Sequence, residues 1–471
     1  AELLKAPLVL VIKSLLRSLS IYKLMFNCNK SILSSENIIL SIGVFISVIC
    51  YLLLGYYTER TETIQLFTGI ILLFSFYLFV VFKPSLSDRN FNFILISSFL
   101  FRAIFILAVP ALSDDYFRFI WDGRLIEEGI NPFLYLPDEV QKQSLLVGEM
   151  NNALYLKMNS PNYYSVYPPV LQFIFFISSK LSFSSNYGAI IVLRVVILLA
   201  EIGSYFFLRK IISLLKLPKN RILIYLLNPL VIIEISGNLH FEGVMLFFIV
   251  SSFYFLLANN IIFSSILFSL AVSTKLLPLV LLPLIIKKVG LKKGFIYSLL
   301  VLMLISVLFL PFINQELISN IGTSVGLYFQ KFEFNASIYY LARWVGFQIS
   351  GYNEIAIIGK LFPIISFALI MFISFKSKLK QSDKIFFESA LTILFVYYLF
   401  SLIIHPWYLT FLVLISVFST HRFALIWSLL IFITYLTYAS IPYEENVWVL
   451  LLEYGIVITW YLSERNKLKL A

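Results

Sequence analysis

The stretch SDDYFRFIWDGRLIEEGINPF, residues 113 to 133, sets two adjacent aspartates directly after the apolar run FILISSFLFRAIFILAVPAL. Carboxylates side by side at the mouth of a hydrophobic span repel each other at low dielectric, and such groups are retained for a proton or a cation to act on. Either Asp114 or Asp115 is a candidate general base on this reading. At 3.6 residues per turn, Asp115, Arg118 and Asp122 share one face of a helix, and Phe117, Trp121 and Leu125 share another. Ser113 is positioned to cap that helix and Gly129 to end it. The expectation is a helix lying flat at the membrane interface, with Phe117, Trp121 and Leu125 against lipid and an Arg118–Asp122 pair on a solvated face.

Further polar groups punctuate apolar sequence downstream. In YLLNPLVIIEISGNLHFEG, Asn238, His240 and Glu242 follow a hydrophobic run. His240 and Glu242 suit an acid/base or metal pair and equally a capping or hydrogen-bonding role, because an i,i+2 His–Glu pair lacks zinc-motif spacing. In STKLLPLVLLP, Lys275 stands between two short apolar stretches. A lysine there is costly unless paired, and broken helices often line substrate sites; snorkelling to the interface is the alternative. LIIHPWYLTF offers His405, Trp407 and Tyr408 as either an interfacial aromatic belt or a platform for a sugar or phosphate. Arg343, in FNASIYYLARWVG, is a candidate phosphate contact, and Asn335-Ala-Ser is a formal glycosylation sequon given no functional weight. Arg102 and Arg194, inside spans, are expected to pair with buried carboxylates such as Glu201 or Glu234. Aspartates as base, cations (Lys275, Arg118, Arg124 and Arg343) and many aromatics form the set needed to deprotonate a hydroxyl while a phosphate departs. No metal ligands are assigned, and a divalent cation is an unsupported option.

These residues must be held by membrane helices. The 471-residue chain is 60% hydrophobic and 17% aromatic, with 13% charged residues and a mean hydropathy of +0.92, against about 25% charged in soluble domains. The apolar runs have the length of helices rather than of barrel strands. Spans are expected at 37–56, 64–83, 92–110, 187–208, 221–236, 240–257, 294–313, 355–375, 385–404, 406–419, 423–440 and 446–462. The run 261–287 is read as two short helices meeting near Thr274 and Lys275, and 166–183 as a re-entrant or surface-lying helix. With those assignments, 24 of the 36 lysines and arginines fall on one side, which the positive-inside rule makes cytoplasmic. The fold class is therefore an all-α, polytopic transmembrane bundle of about 12–14 helices, with interfacial helices in its first large outer loop. Residues 1–36 read as a basic amphipathic cytoplasmic tail and 37–471 as one transmembrane domain. Outer loops are expected at 111–186 and 314–354. The net charge of +11 is spread over short inter-helix loops, an orientation signal that argues against nucleic acid as a partner. Cys28 and Cys50 have neither disulfide nor zinc spacing.

The order DYFRFIWDGRLI, GINPF and YPPV after an early span resembles the first outer loop of the GT-C superfamily of polyprenol-phosphate-sugar-dependent glycosyltransferases. LLNPLVIIEISGNLHFEGVML is similar to the NP…GN…E segment of the mannosyltransferases in that group, and STKLLPLVLLPL to their lysine–proline helix. The resemblance covers about residues 92 to 290. It implies an inverting glycosyltransferase with a polyprenyl-phosphate sugar donor, mannose being the expected sugar, and a lipid or glycan acceptor. It also implies an active site on the outer side of a bacterial plasma membrane and Asp115 or Asp114 as base. Two spans precede the one that normally opens the fold, and no DxD spacing occurs in the loop. The competing expectation is a transporter or lipid flippase in which Lys275 and the carboxylates bind substrate at mid-membrane. Internal repeats would favour it, and none is evident.

Overall fold

A computed structural model describes residues 35–470 except 147, 331, 380, 381 and 440–442; the tail assigned to 1–36 lies almost wholly outside them. The described residues form helices joined by turns, with one isolated parallel bridge between Phe334 and Ile403. Among the described residues, seven helices have the length and apolarity to cross a membrane: Ser35–Tyr56, Thr63–Val81, Asp88–Leu107, Asn186–Leu214, Leu291–Phe312, Ile355–Lys376 and Val447–Asn466. Shorter apolar helices, among them Pro169–Leu181, Glu242–Leu257 and Ile261–Val272, fill the spaces between them. The expected total of 12–14 is reached only when these are counted.

Two breaks define the architecture. The span expected at 221–236 is not continuous: Lys219–Leu226 and Val231–Gly237 are bent by 55°. Pro229 lacks the N–H that a through-going helix needs, and Asn228 Oδ1 instead accepts from the Leu230 amide at 2.9 Å. The second segment is π-helical, a geometry found mostly at functional sites. The other break falls where the sequence places it. Helix Ile261–Val272 stops at Ser273, and a 3-10 turn, Leu277–Leu281, leads into Leu282–Val289.

Pro169–Leu181, at 13 residues, is about 20 Å long and too short to cross about 30 Å of hydrocarbon. It packs against Asp115–Glu127 instead. There Gly123 permits direct contact, since a Cβ at that position would sit 2.3 Å from the Phe175 carbonyl oxygen.

Buried arginines join the helices. Arg102 Nε and Nη2 reach Glu201 Oε2 at 3.0 and 2.9 Å, with both side chains fully buried. Arg102 also donates to the carbonyls of Ser98 and Leu226, and Tyr225 donates to Glu201 at 2.6 Å. One ion pair thus ties three segments together. Arg194 departs from expectation, donating to the backbone carbonyls of Ser236, Gly237, Ile106 and Ala108 rather than to a carboxylate.

Removing one member of the Arg102–Glu201 pair strands a buried charge. Arg102→Gln or Glu201→Gln is expected to cost about 3–5 kcal/mol, and Arg102→Met with Glu201→Leu distinctly less. Thermal unfolding in detergent checks this: the double variant melts above either single one.

Candidate active site

The loop helix Asp115–Glu127 is organised around Asp122, which is fully buried. Its Oδ1 accepts from Arg118 Nε at 2.7 Å, and its Oδ2 from Ser165 Oγ at 2.5 Å and Gln172 Nε2 at 3.1 Å. Arg118 continues to the carbonyls of Ser160 and Tyr163. The DYFRFIWDGR and YPPV motifs, about fifty residues apart, are therefore halves of one hydrogen-bonded unit. This corrects the expected surface helix. Arg118 and Asp122 are not solvated, and Trp121 and Leu125 are buried in protein rather than lipid-facing. The helix is too short and polar to be submerged alone, so a second helix covers it. Arg124 is likewise committed, to Asn151, Asn186 and the Ser184 carbonyl. Both arginines hold the loop, and Arg118 Nη2 is left without a hydrogen-bond partner among the described residues.

The adjacent aspartates differ. Asp114 occupies the N-cap position expected for Ser113, and its Oδ2 lies 2.7 Å from Arg60 Nη1. Asp115 forms no ion pair among the described residues; Asn159 Nδ2 approaches its Oδ1 at 3.3 Å. Burial raises the Asp115 carboxyl above the ordinary aspartate range. The Asn159 hydrogen bond and the Lys275 ammonium oppose the shift, and the Asp114 charge adds to it.

After the π-helical segment the chain turns through Leu239, whose φ of 62° is strained for a bulky residue. The turn is fixed on both sides. Arg194 binds the Ser236 and Gly237 carbonyls, and the His240 amide donates to the Glu234 carbonyl at 3.2 Å. Glu234 accepts from Asn238 Nδ2 at 3.0 Å and from the Tyr435 hydroxyl at 2.8 Å. Glu242 begins the next helix and is buried. Its Oε1 is paired with Lys275 Nζ, while its Oε2 and both His240 ring nitrogens have no hydrogen-bond partner among the described residues, His240 Nε2 lying 4.0 Å from Glu234 Oε2. Lys275 is one-quarter exposed and lies 5.7 Å from the Tyr408 ring centroid. The Val170 amide donates to the Ser273 carbonyl at 3.0 Å, bringing the YPPV helix beside the Lys275 break.

The remaining wall comes from the C-terminal half. His405 stacks on Trp407 with ring centroids 4.4 Å apart and planes within 9°, and His240 approaches the same indole edge-on at 3.7 Å. Trp407 is thus packed by imidazoles, which limits the open platform envisaged from sequence. Burial and the Lys275 ammonium push His405 down to about 3, so its ring is neutral. Phe334 clips this turn through backbone bonds with Leu402 and Ile404. The next residue, Asn335, is buried and held by Glu445, Glu453 and Tyr454, so the sequon is closed to modification in the folded chain. Arg343 pairs with Glu333 and rests 4.5 Å from the Tyr340 ring centroid, in this supporting loop.

Sequence reasoning therefore picked out Asp115, Glu242, Lys275, His240, Asn238 and His405, which converge on one region. It missed Arg60 and Tyr435, and named Glu234 only as a partner for a buried arginine. A legible signal for Arg60 was a basic residue on the acid-rich side. The arrangement offers a carboxylate able to take a proton, an ammonium able to meet an anion, and buried polar atoms able to read hydroxyls. Among the described residues, no cluster of three or more His, Cys, Asp and Glu is arranged to hold a metal.

A family model described as alpha-(1->6)-mannopyranosyltransferase, N-terminal domain, matches residues 26–289, more than half of the chain. No curated protein and no solved structure matches. The matched region contains Asp114, Asp115, Asn238, His240, Glu242 and Lys275, while His405 and Trp407 lie beyond it.

The Gly123 contact is expected to tolerate no side chain. Because its Cβ would strike backbone, Gly123→Ala is expected to lose about 1–3 kcal/mol of stability. Thermal melting and limited proteolysis of the loop check this, and unchanged values would refute the close approach.

Proposed function

Because the chain belongs to this alpha-(1->6)-mannopyranosyltransferase family, we propose that it moves mannose from a polyprenyl-phosphate donor to a hydroxyl of a lipid or glycan acceptor. The observation that carries the assignment of roles is the asymmetry of the aspartate pair: Arg60 neutralises Asp114 and leaves Asp115 without an ion pair among the described residues. Asp115 acts as general base. It takes the acceptor hydroxyl proton as the oxygen attacks the anomeric carbon, and the bond from that carbon to the phosphate oxygen breaks on the opposite face. The phosphate leaves with the bonding electrons, and the lipid phosphate is the second product. Inversion that yields an α linkage requires a β-linked donor.

Lys275 meets the developing phosphate charge. Its ammonium has three donors, one of them directed at Glu242, and a preorganised cation in a water-poor site stabilises a departing anion strongly. The unpartnered atoms of His240 and Glu242 supply contacts to sugar hydroxyls, with Asn238 and His405 alongside. Ion pairs such as Glu36–Lys83, Lys219–Asp88 and Lys288–Asp383 lie in basic loops that the positive-inside rule assigns to the cytoplasm. Asp115 and Lys275 fall in the acid-rich connections between those loops, which supports an active site on the extracytoplasmic face.

The test uses purified full-length protein in lipid, a labelled polyprenyl-phosphate mannose and an acceptor extract. Asp115→Asn is expected to lower turnover about 10²–10⁴-fold, and Lys275→Met to lower kcat/KM for the donor. Undiminished transfer by Asp115→Asn rules out the base assignment. Since the base must be ionised, activity is expected to fall as pH drops through the raised Asp115 value and to hold above it.

A further inference from the structure

The two spans that precede the family-like loop supply a residue beside the reactive carboxylate. Ser35–Tyr56 and Thr63–Val81 are joined by a turn that carries Arg60. Arg60 Nη1 lies 2.7 Å from Asp114 Oδ2, with the two side chains 28% and 34% exposed. The same guanidinium sits 5.1 Å from the Tyr438 ring centroid, so it is held between the loop and the 3-10 helix Ile431–Ala439. Neighbouring carboxylates oppose each other's ionisation, and a cation bound to one weakens its effect on the other.

We propose that Arg60 is a positioning residue for transfer: by neutralising Asp114 it leaves Asp115 free to carry the negative charge that the base requires. The proposal rests on the assignment of Asp115 as base. Every element packed around Asp115 contributes to its balance. Asp114 adjoins it in its own segment, and Asn159 donates from the following loop. Lys275 acts favourably from the break after Ile261–Val272, but Glu242 shares that ammonium. Glu234 and Glu242 both feel the Asp115 charge across the site, as does Tyr438. With its lysine shared, an unscreened carboxylate next door would push Asp115 further up. Arg60 weakens that push.

A purely structural Arg60, tying the first hairpin to the loop, would lower rates equally at every pH. An electrostatic Arg60 moves the acidic limb of kcat/KM, which reports the free enzyme. In full-length protein with labelled polyprenyl-phosphate mannose, Arg60→Gln is expected to raise that limb by about one pH unit. Asp114→Asn, which leaves Arg60 uncompensated, is expected to lower it. The double variant returns toward the parent, and Arg60→Lys stays close to it. If Arg60→Gln does not fold, Asp114→Asn and the double variant still read the sign. Coincident limbs across the variants, with Asp115→Asn inactive, overturn the Arg60 proposal and leave the base intact. Transfer retained by Asp115→Asn removes the base assignment and the Arg60 proposal together.

Discussion

An apolar bundle cannot leave backbone carbonyls bare, and this fold breaks its helices beside the candidate site. The break after the π-helical segment frees the Ser236 and Gly237 carbonyls, and the end of the third long helix frees those of Ile106 and Ala108. A single guanidinium, Arg194, binds all four. It is a cation at two helix ends at once, favoured by both dipoles. Without it the turn through Leu239 would have little to hold its left-handed geometry, and the residues on either side, Asn238 and His240, would have no fixed position. Arg102 does comparable work deeper in the bundle, where its pairing with Glu201 fixes the helices that carry these breaks.

Around those breaks the site is assembled from two halves of the chain. The polar groups, Asp115, His240, Glu242 and Lys275, come from the region shared with the family. Aromatic and hydrogen-bonding partners, Trp407, Tyr408, Tyr435 and Tyr438, come from beyond it. The coupling is direct: Tyr435 donates to Glu234, His240 meets Trp407, and Lys275 lies over Tyr408. The Phe334–Ile403 bridge then fastens the wall carrying Trp407 to a loop anchored by Asn335 on the last helix.

Composition and charge made the helical membrane class legible, and unusual polar residues in apolar sequence marked the region of the site. Lys275 between two short apolar stretches announced a broken helix, and the break is present. What the sequence concealed was which side of each helix meets protein. Phe117, Trp121 and Leu125 have the spacing of a lipid-facing stripe, yet Trp121 and Leu125 are covered by protein; periodicity reports an apolar face, not what covers it. The bend at Pro229 was readable from the Asn-Pro pair but was hidden inside a run long enough to span. Pairings such as Arg60 with Asp114, or Asp122 with Ser165 and Gln172, join segments that no local pattern connects. The two adjacent aspartates are indistinguishable in one dimension and become unequal only when a distant arginine approaches one of them.

The glycine contact between the two loop helices carries a mechanical consequence. Gly123 against Phe175, together with the Asp122–Gln172 hydrogen bond, locks Asp115–Glu127 to Pro169–Leu181. Any displacement of one would carry the other with it. Gly129, at a φ of 74° with open space where a side chain would begin, is a natural pivot on one side. The Arg60–Asp114 contact is the latch on the other. Access for a bulky acceptor is then a question of swinging a stiff plate rather than melting a loop.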